Sequence, residues 1–142
     1  MKITWNTELS ENFTLRETVS RTQRERHLIS PVRAYNYVDG KLVTILQLLR
    51  NFFNKPINVN SWYRTPEYNK LVSESEFSLH LVGKAADIYI KGMTAKELYN
   101  AILIRRERDP VVGGIKGLAY NKKKNFVHLD IRYGKELTTW LY

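Results

Sequence analysis

Leu42, Ile45, Leu46, Leu49 and Phe53 recur at steps of three and four, so an apolar stripe runs along one side of a helix over residues 37–53. Asp39 suits its first turn. Asn54-Lys55-Pro56 ends it, because proline cannot donate to the helical ladder and restricts the residue before it. The period then changes to two: Ile57-Asn58-Val59-Asn60-Ser61 alternates apolar and polar, as a half-buried strand does. A helix with one apolar side followed at once by a strand with one apolar face points to helix packed on sheet.

The rest of the chain repeats this alternation. Thr14 and Glu17 form a capping box opening a short helix that the polar residues 21–27 end, and Pro66 starts a brief helix running to Val72. Residues 73–77 read as a polar loop and 85–90 as a second strand, with Gly83 easing the turn into it. A second capping box, Thr94 with Glu97, opens a helix that buries Leu98, Ala101, Ile102 and Ile104. Arg105, Arg106 and Arg108 complement its C-terminal dipole before Asp109-Pro110 breaks it. Residues 117–120 and 126–132 then resemble a hairpin joined by 121–125. The expected architecture is one α+β domain spanning 1–142, with a small, mainly antiparallel sheet flanked by helices.

The chain contains no cysteine, which excludes disulfides, cysteine-ligated metal and a thiol nucleophile. His, Asp and Glu remain as possible ligands, and the histidines are three: His27, His80 and His128. His27 stands among charged residues with no carboxylate at ligand spacing, and reads as a surface histidine. A net charge of +9 favours polyanionic partners, nucleic acid or an anionic bacterial envelope. The cations are scattered and no nucleic-acid-binding motif organises them, so no specific nucleic acid is expected. No apolar run is long enough to span a membrane, and the first fifteen residues lack the apolar core of a secretory signal. The chain is thus expected to be cytoplasmic as synthesised.

Two histidines and a carboxylate are a usual zinc ligand set that leaves one position open for water. His80 and Asp87 lie seven residues apart around Gly83, and His128 follows within a strand pattern whose face it shares with Phe126 and Asp130. If that strand pairs with the one bearing Asp87, the three converge. By spacing alone, the reading of His80 as a loop histidine, Asp87 as a turn cap and His128 as a satisfied buried histidine stays open.

Three segments carry a resemblance. Residues 61–69, SWYRTPEYN, are similar to S-G-Y-R-S-P-x-x-N; residues 78–88, SLHLVGKAADI, to S-x-H-x-x-G-x-A-x-D; and residues 126–132, FVHLDIR, to V-H-x-D-x-R. In that order they resemble the M15 family of zinc D,D-peptidases, which share a fold with the hedgehog signalling domain. Phe13 to Glu17 and Trp140 look like the family's two ends. The resemblance implies that His80, Asp87 and His128 hold Zn2+. It also implies that Arg64 binds a substrate carboxylate or stabilises an oxyanion, and that Ser78 bonds near the metal or substrate. A guanidinium suits both tasks through its permanent charge and forked donors.

The chain departs from the family in two places. Asn125 and Phe126 occupy the positions where many members carry the general base, and neither can accept a proton near neutral pH. Asp130 is then the base or, the reading favoured here, a partner orienting a ligand imidazole; Glu74 and Glu76 are further candidates. Trp62 replaces a common glycine and is expected to narrow the cleft beside Arg64. The resemblance implies a zinc peptidase cutting peptidoglycan stem peptides, as a carboxypeptidase or endopeptidase. It would be a monomer of the phage endolysin type, acting on the wall after release. The alternative is a catalytically silent zinc module that binds peptidoglycan or a protein partner.

Overall fold

A computed structural model describes residues 1–73, 75 and 77–142. In chain order its elements are β1 (Glu8–Ser10), β2 (Phe13–Thr14), α1 (Arg21–Glu25), α2 (Pro31–Tyr37), α3 (Gly40–Phe53), β3 (Asn58–Ser61), α4 (Pro66–Val72), β4 (Ala85–Tyr89), α5 (Ala95–Arg108), β5 (Gly117–Asn121), β6 (Phe126–Asp130) and β7 (Thr138–Leu141). Short 3-10 turns cover Leu15–Thr18, Leu79–Val82 and Val112–Gly114. No helix among the described residues is long and apolar enough to cross a membrane.

The fold is α+β. β1 and β2 form a small ribbon, and the main sheet has five strands in the order β3-β4-β6-β5-β7. Three of its pairings are antiparallel, but β7 lies parallel to β5, so the sheet is mixed and larger than the small antiparallel one expected. β7 escapes notice in the sequence because it is four residues long and follows the polar, glycine-containing stretch 133–136.

Strand alternation sorts this sheet into two faces. Ala86, Ile88, Leu118, Val127 and Leu129 are buried in one apolar core with Leu42, Ile45, Leu46 and Leu49 of α3 and Leu98 and Ile102 of α5. Their neighbours in register, Asp87, His128, Asp130, Gly117 and Trp140, belong to the other face. Each fully buried aliphatic side chain contributes about 1.5–3 kcal/mol of transfer free energy. The core face therefore fixes the strand register, and the register fixes the opposite face.

The helix expected over 37–53 is α3 and begins three residues later: Asp39 caps it from outside, its carboxylate accepting from the Lys41 amide at 2.9 Å, and a separate, unexpected helix, α2, ends at Tyr37. Ser30 before Pro31 supplies the start of α2, a cap followed by proline at the first helical position. Residues 21–25 likewise form a separate helix, capped by Ser20, and do not end the Thr14 turn. That turn carries the expected capping box but is a 3-10 helix. The second capping box, at Thr94 and Glu97, opens α5 as the sequence suggests.

The N-terminal segment clamps the loop that follows β3. Leu15, Val19, Ile29 and Ala34 bury the Tyr63 ring, which stacks on Tyr37 with centroids 4.7 Å apart. The Tyr63 amide donates to the Thr18 carbonyl at 2.8 Å. Buried Gln23 spans the loop: its Nε2 donates to the Tyr63 carbonyl at 3.1 Å, and its Oε1 accepts from the Thr65 amide at 3.0 Å. Arg64 lies between those two anchors.

Candidate metal centre

The β4–β6 pairing sets Asp87 directly opposite His128. His80 reaches the same point from the 3-10 turn Leu79–Val82, whose N-cap is Ser78; the Ser78 hydroxyl accepts from the His80 amide at 3.2 Å. Gly83 ends this turn at φ 70°, a left-handed conformation, and a Cβ there would overlap the Tyr37 carbonyl oxygen. Only glycine meets both demands.

His80 Nδ1 lies 2.7 Å from the Trp62 carbonyl oxygen. A carbonyl can only accept, so Nδ1 carries a proton, and Nε2 is the ring nitrogen that faces the site, 3.4 Å from Asp87 Oδ1. His128 uses its nitrogens the other way round, with Nδ1 3.0 Å from Asp87 Oδ1 and Nε2 2.8 Å from Asp130 Oδ2. One ligand atom from each of His80, Asp87 and His128 lies within 4.8 Å of the others, so the three could hold a metal ion. Zinc bonds of about 2.0–2.1 Å at tetrahedral angles put ligand atoms about 3.3 Å apart, and the two imidazole–carboxylate separations bracket that value. The donor set fits zinc.

Burial works to raise the Asp87 pKa, but hydrogen bonds from His128 and His80 and their charge outweigh it and hold the carboxyl well below the usual range. Burial disfavours the charged form of His128, yet bonding to Asp130 and Asp87 leaves its pKa raised. His80 and His128 are 2% and 7% exposed, so water competes little for these contacts.

Asp130 is fully buried beneath His128. Arg132 forks onto it, Nε donating to Oδ1 at 2.8 Å and NH2 to Oδ2 at 2.7 Å. Burial works to raise the Asp130 pKa, and the bonds from Arg132 and His128 drive it well below the usual range. Arg132 also lies over the Trp140 ring at 5.0 Å, and Trp140 packs 5.1 Å from His128, centroid to centroid.

Above the three candidate ligands opens a cleft of about 690 Å³, walled by Arg64, Tyr68, Phe126, Trp140 and Tyr142. Ser78 lines it as well as capping the His80 turn. Arg64 is half-buried there. Its Nε donates to Ser61 Oγ at 3.1 Å and its NH1 to Asn69 Oδ1 at 3.0 Å, with no carboxylate paired to it among the described residues. Burial pushes its pKa down while the nearby Asp87 charge pulls the other way.

Trp62 does not narrow this cleft. It is 1% exposed, packs edge-on to Phe13 at 6.5 Å and donates Nε1–H to the Gly83 carbonyl at 3.1 Å. The residue that looked like a gate is thus the floor under the His80 loop. Asn125 has a structural post too: at φ 53° in the β5–β6 turn, its Oδ1 accepts from the Ala95 amide at 2.7 Å, at the start of α5. Phe126 packs on Tyr142 at 5.3 Å. His27 is exposed, as expected. Glu74 and Glu76 lie outside the described residues.

Sequence reasoning missed Tyr68, Gln23 and Tyr142, and took Trp140 for a family end without giving it a place in the cleft. Thr138, Trp140 and Tyr142 alternate along one strand face, a period-two signal too short to stand out from the polar residues before it.

His128 and Asp87 from the sheet and His80 from the 3-10 turn face an open cleft as a set that could hold one metal ion and leave room for a further ligand. The family model described as Peptidase M15 matches residues 11–130, and the chain belongs to that family, a family of metallopeptidases that are generally zinc-dependent. The match contains His80, Asp87 and His128 as well as Arg64, and ends at Asp130; Trp140 and Tyr142 lie beyond it. No curated protein and no solved structure matches the chain.

Proposed function

We propose that this chain is a zinc-dependent hydrolase of a peptide amide in peptidoglycan stem peptides. The observation that carries the reading is the convergence of His80 Nε2, Asp87 Oδ1 and His128 Nδ1 at the base of a cleft that also holds Arg64, an arginine with no carboxylate partner among the described residues. When bound, zinc supplies a Lewis acid that polarises the scissile carbonyl and acidifies water.

The chain's own residues do the rest. His80 and His128 each engage their second ring nitrogen with protein, which fixes both rings before substrate arrives. Arg64 sits on a clamped loop and directs a permanent charge into the cleft, where a substrate carboxylate or a developing oxyanion gains most. Trp140, Tyr142 and Phe126 wall the cleft and keep water from the flanks of a bound peptide. Asp130 has one oxygen shared by His128 and Arg132 and the other held by Arg132, so it serves as an orienting partner of His128 and not as the base. The basic charge suits an anionic wall as the place of action, and a phage-type lysis enzyme as the biological setting.

One observation favours a second reading, a silent zinc module that binds peptidoglycan or a protein. Among the described residues, the carboxylates lining the cleft are Asp87 and Asp130, and both are already committed. Turnover of peptides containing D-Ala-D-Ala or L-Ala-D-Glu, with and without a chelator, separates the two. The enzyme reading expects cleavage that chelation abolishes, zinc restores and His80→Ala lacks. Zinc-loaded protein that binds such peptides but leaves them intact would overturn it in favour of the silent module.

A further inference from the structure

Glycine inside a strand weakens it and signals that something approaches closely. Gly117 opens β5 directly opposite Asp130 and is buried. Its φ is not in the left-handed region, so the backbone does not demand glycine there. Space does. A Cβ on Gly117 would overlap both oxygens of the Asp130 carboxylate.

That carboxylate has no other place to sit while keeping its partners. It is fully buried, its Oδ2 lies 2.8 Å from His128 Nε2, and both oxygens take the Arg132 fork. The Arg132 amide adds a bond to Oδ1 at 3.2 Å, and the Arg132 side chain is itself held against Trp140. We infer that Gly117 is a positioning residue for the metal centre: its missing side chain makes the niche that seats the Asp130 carboxylate on His128 Nε2 and so leaves Nδ1 as the nitrogen facing Asp87 and the metal. The choice of ring nitrogen matters because Nδ1 lies beside the ring's attachment point and Nε2 lies away from it. A ring freed from Asp130 can turn, and either nitrogen can then face the ion. This rests on His128 being a metal ligand.

Partners of a ligand imidazole are worth about 10- to 100-fold in metal affinity. Zinc affinity is measured by competition with a chromophoric chelator, and the visible spectrum of the Co2+ form reports ligand geometry independently of turnover. Gly117→Ala and Asp130→Ala should each weaken zinc about 10- to 100-fold and alter the Co2+ bands. The double variant should be no weaker than Asp130→Ala alone, because the overlap has lost its second partner. Wild-type affinity in Gly117→Ala, or a further loss in the double variant, overturns the inference. Should Gly117→Ala not fold alone, the comparison of Asp130→Ala with the double variant decides in the same way. Wild-type protein that takes up no zinc overturns the metal centre itself, a result distinct from either of these.

Discussion

Replacing Arg64 with alanine separates catalysis from metal binding. The guanidinium donates to Ser61 and Asn69, and none of its side-chain bonds reaches His80, Asp87 or His128. Its backbone amide donates to the His80 carbonyl at 3.0 Å, and that bond survives the substitution. Zinc content should therefore stay at one ion per chain. Two hydrogen bonds from a charged donor are lost, about 1.5–3 kcal/mol each, offset in part by release of a charge that burial disfavours. Stability should thus fall by less than about 6 kcal/mol. Loss of one donor to a developing oxyanion costs about 10²–10³ in rate, about 2.7–4 kcal/mol. Steady-state cleavage of a stem peptide, with zinc measured by atomic emission on the same samples, reads both quantities. Arg64→Lys should recover little, since an ammonium cannot fork. A rate within threefold of wild type, or loss of zinc from Arg64→Ala, would refute the assignment.

Zinc at 1,000 times its dissociation constant should stabilise the fold by about 4 kcal/mol, so a chelator should lower Tm in calorimetry; an unchanged Tm argues against a site formed only in the folded state. Asp39→Ala removes the α3 cap and the 3.0 Å ion pair with Lys84, for a loss of about 1–2.5 kcal/mol in denaturant titration. Burial works to raise the Asp39 pKa, but Lys84 and the helix amides leave it lowered, so its contribution is complete above the unfolded carboxylate value of about 3.9 and fades as pH falls through the folded one. The stability gap between wild type and Asp39→Ala should hold steady from neutral pH to about 5 and shrink below about 4. Trp62→Ala should cost about 3–5 kcal/mol and loosen the His80 turn, so zinc affinity should fall with it; a change in substrate preference at full stability would restore Trp62 to the cleft wall.

The parts of this protein that were legible in its sequence are those governed by local period. α3, α5, β3, β4 and the β5–β6 hairpin follow from apolar spacing, caps and proline, and the three family-like segments carry His80, Asp87 and His128 with them. What stayed hidden depends on contacts between distant residues. The direction of Trp62 is decided by Phe13 and Gly83, and the duty of Asn125 by the first turn of α5. Gln23 reads as a polar helix residue until its amide is seen bridging Tyr63 and Thr65 from forty positions away. α2 was the exception: Ser30-Pro31 marks its start locally, but its seven residues bury only Ala34 and carry no apolar stripe to announce a helix.

The pairing of Asp87 with His128 ties the quality of the fold to the presence of the site. If β6 slid by one residue against β4, the imidazole would turn into the oily interior and Leu129 would face the solvent side. Such a molecule would pack badly and be a poor competitor to the native state. A chain of this design has little chance of persisting as a well-folded but ligand-scrambled species, because the error that dismantles the centre also dismantles the core.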